Sequence, residues 1–160
     1  MTELPSSGDA VMYCYIGLSV GDLASGLLSQ LIKSRKKVMG LFLGLSAICT
    51  ALYFTVAGSS LVTFYIICGL LGFSVGFWAI FVTIASEQFG TNIRATVTTT
   101  TPNFVRGALV PIAGLFTFLK EPLGITGSGI AVGVLVLVVA GIALVELEET
   151  FGKDLHYIEE

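Results

Sequence analysis

Charged residues are scarce in this chain of 160 residues. Asp, Glu, Lys and Arg together make up 12% of it, against 54% for hydrophobic residues, and the mean hydropathy is +0.92. A soluble domain carries roughly a quarter charged residues, so this chain has too little polar material to cover a water-facing surface. Its eight basic residues form no stripe along a soluble face, which argues against a nucleic-acid partner.

Cysteine and histidine are also sparse, and their positions give no support for a metal site. Cys14, Cys49 and Cys68 lie within apolar stretches at separations that fit neither a disulfide framework nor a metal-binding spacing. His156 is the single histidine. We therefore expect no metal and no cofactor. A His-Glu-x-x-His motif, paired aspartates and a nucleophile beside a base are lacking too, so the chain is not expected to be an enzyme.

Long uncharged hydrophobic runs fill most of the sequence. A membrane-spanning helix needs about 20 apolar residues to cross a hydrocarbon core about 30 Å thick, and five segments satisfy that requirement. Their apolar residues run continuously instead of alternating, which favours helices over barrel strands. The chain is therefore predicted to be an all-α membrane protein, one transmembrane domain over residues 1–160 with a cytoplasmic tail at 146–160. The five predicted spans are residues 10–32, 38–57, 61–86, 95–119 and 122–145.

Basic residues in the short connections predict the orientation. Lys120 is the one basic residue in the connections on its side of the membrane, whereas six basic residues lie in the connections and tail on the opposite side. Positive charge in short loops marks the cytoplasmic side, so we expect the N-terminus outside and the C-terminus inside. The membrane would be a plasma membrane or a bacterial inner membrane, crossed several times. The basic residues of the cytoplasmic side are Lys33, Arg35, Lys36, Lys37, Arg94 and Lys153.

Glycine and proline within the predicted spans indicate how the helices pack and bend. Pairs of small residues four positions apart let helix backbones approach closely in lipid. Pro102 and Pro111 lie in the fourth span, and proline removes a backbone hydrogen bond, so a bend is expected there. The glycine pairs with this spacing are Gly40 and Gly44, Gly72 and Gly76, and Gly129 and Gly133.

Three segments resemble motifs of the major facilitator superfamily. The loop after the third span, EQFGTNIRAT at 87–96, resembles the signature E-x-F-P-T-x-x-R-A-T, with Gly90 in place of the proline. The tail ETFGKDL at 149–155 is similar to the P-E-T-K-G-x-x-L element of sugar-porter-like members. The basic loop GLLSQLIKSRKK at 26–37 is similar to G-x-L-A-D-R-x-G-R-R, with Gln30 in place of the aspartate.

The resemblance implies that the five spans correspond to helices eight to twelve of a twelve-helix transporter. It implies secondary active transport of a small solute by alternating access, coupled to protons. The chain would then be one partial domain, incomplete by itself. Its partners would be the solute, protons, the lipid bilayer and the missing N-terminal half. The alternative is a five-span membrane protein that does not transport and serves in assembly or regulation.

Two charges lie near the middle of predicted spans, Asp22 in the first and Arg106 in the fourth. A charge at the bilayer centre costs from about 3 to more than 10 kcal/mol unless it faces a cavity or a partner. Asp22 is therefore a candidate for titrating a proton or contacting the solute, and Arg106 for binding an anionic group. Asn103 is a candidate for a hydrogen bond to the solute. The alternatives are a structural ion pair, of Asp22 with Arg106 or with residues of the missing half, and, for Asn103, a bridge between helices.

The resemblance also implies a gate on the cytoplasmic side. Glu87 and Arg94 would form it together with Arg35 and Lys36 of the basic loop. In the family such charged pairs hold the inner side closed until the two halves rock. An exposed pair contributes at most about 1 kcal/mol, and a bias of that order is enough to shift a two-state equilibrium.

Overall fold

The computed structural model describes residues 4–154 and Ile158, and these residues form helices with no strand. The all-α prediction is confirmed for this part of the chain. The end of the predicted tail, at 155–157 and 159–160, lies outside the described residues, and His156 with it. The helices are α1 (Ser7–Ile32), α2 (Arg35–Val56), α3 (Leu61–Ser74), α4 (Trp78–Glu87), α5 (Thr91–Gly107) and α6 (Leu109–Glu146).

Among the described residues, four helical stretches are long and apolar enough to cross a membrane, which is compatible with a multi-pass membrane protein. Three of them are Ser7–Ile32, Arg35–Val56 and Leu61–Glu87, at the places of the first three predicted spans. The fourth, Thr91–Glu146, has 56 residues and includes both of the last two predicted spans. At about 1.5 Å per residue, an uninterrupted helix of that many residues would extend about 84 Å, far longer than one crossing of a hydrocarbon core requires.

Serine residues begin the first three helices. A serine side chain at the position before a helix accepts a hydrogen bond from a backbone N–H of the first turn, which has no partner inside the helix. Ser6 accepts from the Asp9 N–H, Ser34 from the Lys37 N–H at 3.1 Å and Ser60 from the Thr63 N–H at 3.1 Å. These local signals explain why the helices start where the sequence predicts connections.

Glycines bring the backbones of α1 and α3 into direct contact. A Cβ atom at Gly72 would collide with the carbonyl oxygen of Cys14, and one at Gly17 with the carbonyl of Gly69. The predicted contact is thus present for the pair Gly72 and Gly76. Apart from chain neighbours and the backbone of its own helix, no atom of the described residues lies within 4 Å of a Cβ built at Gly44 or Gly133, so these two glycines make no close backbone contact of this kind.

The third predicted span, residues 61–86, is not one continuous helix. It is divided by a non-helical segment at residues 75–77, which joins the end of α3 to the start of α4. A Cβ at Gly76 would lie 2.5 Å from the Cα of Gly21, so the backbone of this segment lies directly against α1. The Phe77 N–H donates to the Val75 carbonyl at 2.9 Å, which closes a tight turn. We call residues 75–77 the helix break.

The last two predicted spans form one long helical stretch. Ala108 separates α5 from α6, between the two prolines at which the bend was expected. The sequence placed a connection at Lys120, but the chain stays helical there. The non-helical backbone lies at Gly124, with φ 69° and ψ 178°. Glycine adopts a positive φ without the steric cost that other residues meet, and Pro122 just before it cannot donate a backbone hydrogen bond.

The chain divides between Ile80 and Phe81 into two compact units. In the first, α1, α2 and α3 pack around a small core. The second contains α5, α6 and the tail, and α5 buries none of its residues. The buried hydrophobic residues of the first unit include Val38, Phe42, Cys49, Ile67, Cys68 and Ile80.

Candidate functional site

Asp22 lies beside the helix break. It is half-buried on α1, and its Oδ1 accepts a hydrogen bond from the backbone N–H of Ala79 at 3.3 Å. Ala79 belongs to the first turn of α4, where backbone N–H groups have no partner inside the helix. In the described part of the first unit no basic side chain forms an ion pair with Asp22. The carboxylate therefore faces the N-terminal end of a helix, which favours negative charge.

At the break, the carbonyl group of the last residue of α3 accepts a hydrogen bond from a side chain of α2. The Ser46 hydroxyl lies 2.9 Å from the carbonyl oxygens of both Phe42 and Ser74, so it links its own helix to the last residue of α3. The Ser74 hydroxyl donates to the Leu71 carbonyl at 2.8 Å, and its side chain is fully buried. A backbone interrupted at membrane depth must find such partners within the protein, because lipid offers none.

Aromatic side chains pack around the break. The rings of Phe42 and Phe77 have centroids 6.4 Å apart in an edge-on arrangement, and Phe42 is nearly fully buried. Farther along α3, the Tyr65 hydroxyl accepts from the Ser6 N–H at 3.0 Å, and its ring lies 5.2 Å from that of Tyr13. Phe77 and Tyr65 thus serve in packing.

Arg106 and Asn103 both lie on exposed parts of α5, in the second unit. The Asn103 amide donates to the Thr99 carbonyl at 3.1 Å, within the same helix. Asn103 also lines an open groove of about 550 Å³, together with Phe104 and Pro111. Four consecutive threonine hydroxyls donate to carbonyls four residues earlier in α5. These are Thr98, Thr99, Thr100 and Thr101.

Arg94 joins the start of α5 to the end of α4. Its Nε donates to the Ser86 carbonyl at 2.8 Å, and its Nη2 donates to the Phe89 carbonyl at 3.0 Å. The last carbonyls of a helix lack partners and carry partial negative charge, which a guanidinium stabilises. Arg94 therefore fixes the geometry of the loop between the two helices.

Glu87 at the end of α4 binds the tail that follows α6. Its Oε2 accepts a hydrogen bond from the Thr150 hydroxyl at 2.7 Å, and Thr150 is 1% exposed. Glu149 organises the turn around Thr150, since its Oε1 accepts from the N–H groups of Thr150 and Phe151 at 3.1 and 3.0 Å. The structure thus brings together the loop after α4 and the tail after α6, two segments whose sequences resemble separate motifs of the family. Thr150 itself was missed as a site residue, although it lies inside the tail motif.

Arg35 and Lys36 lie in the first unit, at the start of α2, and both are half-buried. Arg35 Nη1 donates to the Ser29 hydroxyl at 2.8 Å. Ser29 is fully buried and donates in turn to the Gly26 carbonyl at 2.8 Å. Arg35 is therefore anchored to the last turns of α1, within the basic loop.

In the tail, Lys153 Nζ lies 3.0 Å from Glu148 Oε2. This hydrogen bond, with the positive charge of Lys153, holds the pKa of the exposed Glu148 carboxyl below its ordinary value. Over the ranges that the structure describes, no group of three or more His, Cys, Asp or Glu side chains is arranged to hold a metal ion.

The long apolar helices, the broken third stretch and the loop bound to the tail define a helical chain compatible with a multi-pass membrane protein. Comparison of the chain with protein families, with curated proteins and with solved structures found no match. Its function is therefore inferred from the geometry of its own residues and from the motifs of its sequence.

Proposed function

We propose that the chain is part of a secondary active transporter that moves a small solute across a membrane by alternating access, coupled to protons. In this proposal it is similar to the major facilitator superfamily and forms five spans that correspond to helices eight to twelve. The N-terminus is outside and the C-terminus inside. The chain works together with the N-terminal half that such transporters carry.

The helix break beside Asp22 is the observation that carries this proposal. Non-helical backbone at membrane depth is tolerated where it is buried in protein or lines a water-filled cavity. Transporters place solute and ion sites at such discontinuous helices near the middle of the membrane. Here the break occurs within Leu61–Glu87, and the carboxylate of Asp22 lies against it.

The long stretch from Thr91 to Glu146 has enough length for two crossings. A reversal near Gly124, where the backbone leaves the helical conformation, would divide it into the fourth and fifth spans. Lys120 and Glu121 would then lie on the outside with the short connection. The predominance of basic residues in the other loops supports the same orientation.

The bonds around Glu87 and Arg94 support a gate on the cytoplasmic side. Arg94 holds the end of α4, and Glu87 holds the tail through Thr150. Both bonds involve a charged group, which makes them stronger than neutral hydrogen bonds. Arg35 and Lys36 contribute positive charge in the basic loop on the same side of the membrane.

Asp22, Arg106 and Asn103 are the proposed residues of the solute and proton pathway. Asp22 would take up the proton, because an acidic side chain within a span is costly unless it serves such a role or has a partner. Arg106 would bind an anionic group of the solute with its planar guanidinium. Asn103 would donate or accept a hydrogen bond from the groove that it lines.

The test is uptake into proteoliposomes that contain a trapped pH-sensitive dye. The 160-residue chain and a version extended upstream by an N-terminal half are compared, with sugars and organic acids as the solutes. We expect acidification of the interior on addition of one solute class, with the extended chain only. Asp22→Asn in that version should abolish the acidification, while Asp9→Asn, an exposed acidic residue in the first turn of α1, should not.

Two outcomes would contradict the proposal. Acidification that persists after Asp22→Asn removes Asp22 from the proton pathway. Uptake by the short chain alone would mean that it assembles a pathway by oligomerising, so that no second half is needed.

A further inference from the structure

Two of the three cysteines lie at the close contact between α1 and α3. A Cβ built at Gly72 would be 3.0 Å from the Cα of Cys14. Cys68 lies four residues before Gly72, and residues four apart share one face of a helix. Both thiols are free in the structure, where Cys68 is buried and Cys14 is half-buried. Their separation of 54 positions in the sequence gave no indication of this proximity.

The two helices run in the same direction along this contact. A Cβ at Gly17 would meet the carbonyl of Gly69, and one at Gly21 would meet the carbonyl of Phe73. A step of four positions along α1 thus corresponds to a step of four positions along α3, as parallel helices require. The N-terminal ends of both helices therefore lie toward the same end of the contact.

The side-chain directions bring the two thiols toward each other. In a helix the bond from Cα to Cβ tilts toward the N-terminus. From its place beside Gly72, the Cys14 side chain therefore leans toward the preceding turn of α3, which contains Cys68. A negative charge on the Cys14 thiol would act on that of Cys68, which agrees with this placement. A disulfide needs Cα atoms about 4.4–6.8 Å apart, and helices whose backbones touch come that close.

We propose that Cys14 and Cys68 form a reversible disulfide that fixes α1 to α3, made by exchange with a small apolar disulfide. The thiol of Cys14, the more exposed of the two, attacks one sulfur of the external disulfide. The other sulfur leaves as a thiol that carries the proton from Cys14. The thiol of Cys68 then attacks the Cys14 sulfur, and the second external thiol leaves with the proton from Cys68. Two protein thiols are oxidised, and one external disulfide is reduced to two thiols.

The disulfide would hold together the two helices that place Asp22 beside the helix break. α1 carries Asp22, and α3 ends where the break begins. A crosslink restricts the unfolded chain and so raises stability. In the proposed orientation each cysteine is the eighth residue of its helix counted from the outer side, and disulfides persist on that oxidising side. Only this last point rests on the proposed function, because the meeting of the two thiols does not depend on transport.

Disulfide mapping on the unchanged chain tests the pair. The purified chain in detergent micelles is treated with one equivalent of dithiodipyridine, a small apolar disulfide, and cleaved after aromatic residues with chymotrypsin. Mass spectrometry then identifies the linked peptides, with a sample unfolded in sodium dodecyl sulfate as the reference. Closing a longer loop costs more, so the unfolded chain should favour Cys49 with Cys68, 19 positions apart, by about fivefold over Cys14 with Cys68. The folded chain should reverse that preference.

Each outcome decides the proposal. Links mainly between Cys14 and Cys68 in the folded sample alone support it. Links mainly through Cys49 in the folded sample overturn it, and so does the same pattern of links in both samples. An adduct that stays on Cys14 overturns it, because Cys68 then fails to displace the reagent. A folded chain that does not react overturns it as well, since a modification site must be reachable.

Unfolding by sodium dodecyl sulfate tests whether the link fixes the two helices. After oxidation, the unchanged chain and Cys49→Ala should both need more detergent to unfold, and dithiothreitol should reverse the shift. Cys14→Ala, which cannot form the link, should show no shift. A link without any shift would contradict the stabilising role. Because neither measurement needs uptake, failure of the disulfide proposal and failure of the transport proposal are seen separately.

Discussion

Asp22, Ser46 and Thr150 each form a hydrogen bond to a group that lies far away in the sequence. Asp22 serves a backbone N–H, Ser46 a backbone carbonyl and Thr150 a carboxylate. A hydrogen bond adds only about 1 kcal/mol to stability, but a buried polar group left without one costs about 1–3 kcal/mol. At the scale of residues, the chain is therefore sensitive to the loss of short polar side chains that hydropathy alone treats as unimportant.

Thr150→Val tests the bond between the tail and Glu87. Valine has nearly the shape of threonine but no hydroxyl, so Glu87 loses a donor. A hydrogen bond to a charged group contributes about 1.5–3 kcal/mol to stability. We therefore expect the tail to open at least about tenfold more often. Trypsin cleavage after Lys153 in detergent micelles should accelerate by the same factor.

The matched control is Thr117→Val. Thr117 is exposed, and its hydroxyl bonds within α6 to the Ala113 carbonyl, so cleavage after Lys153 should not change. An unchanged cleavage rate in Thr150→Val would show that the hydroxyl does not restrain the tail.

At the scale of elements, the first unit depends on how closely α1 and α3 approach. Apolar side chains give helices in lipid little reason to associate, because the lipid is equally apolar, so close packing of backbones matters more. Gly17, Gly72 and Gly76 permit that packing, whereas Gly44 faces open space. Glycines with the same spacing in the sequence therefore make a close backbone contact on one helix and none on another.

The pair Gly72→Ala and Gly44→Ala tests this difference. The new Cβ at position 72 collides with a backbone carbonyl, which cannot move aside as a side chain would. We expect it to lower the free energy of unfolding by about 1–3 kcal/mol. At position 44 the same change should be neutral or raise it by up to about 1 kcal/mol, because alanine favours the helix.

Unfolding by sodium dodecyl sulfate in mixed micelles, followed by circular dichroism, measures both effects. Equal losses of stability in the two variants would contradict the assignment of the close contact to α1 and α3.

The sequence predicted the positions of the helices more accurately than the positions at which they are interrupted. The uncharged apolar runs predicted a second span at 38–57 and a third that begins at 61, and the structure has α2 at Arg35–Val56 and a start of α3 at Leu61. Nothing in residues 61–86 indicated the helix break, because Gly72 and Gly76 occur in equally apolar surroundings. Gly72 stays helical and Gly76 does not, and the difference lies in the contact of Gly76 with α1.

At the scale of the whole molecule, the proposed topology predicts which residues face each side of the membrane. In a chain whose three cysteines are replaced by alanine, Lys120→Cys should react with a membrane-impermeant maleimide applied to intact cells. Lys37→Cys, in the basic loop, should react only after the cells are permeabilised. The expectation follows from the excess of positive charge on the cytoplasmic side and from a reversal of the chain near Gly124.

Reaction of both cysteines from the same side would contradict the five-span arrangement. Lys37 is exposed on α2 and Lys120 on α6, so a failure to react would not come from burial within the chain. The comparison of intact with permeabilised cells provides the control for each variant.

Composition by itself determined that the chain is helical and apolar enough to cross a membrane, because long uncharged runs can satisfy their backbone only within helices in lipid. Local residues determined the helix starts, since capping involves neighbours in sequence. Only the tertiary structure decided that the third stretch breaks, that Asp22 meets α4 and that Thr150 meets Glu87. Those two bonds join residues 57 and 63 positions apart, and contacts over such separations depend on how helices pack, which no local pattern encodes.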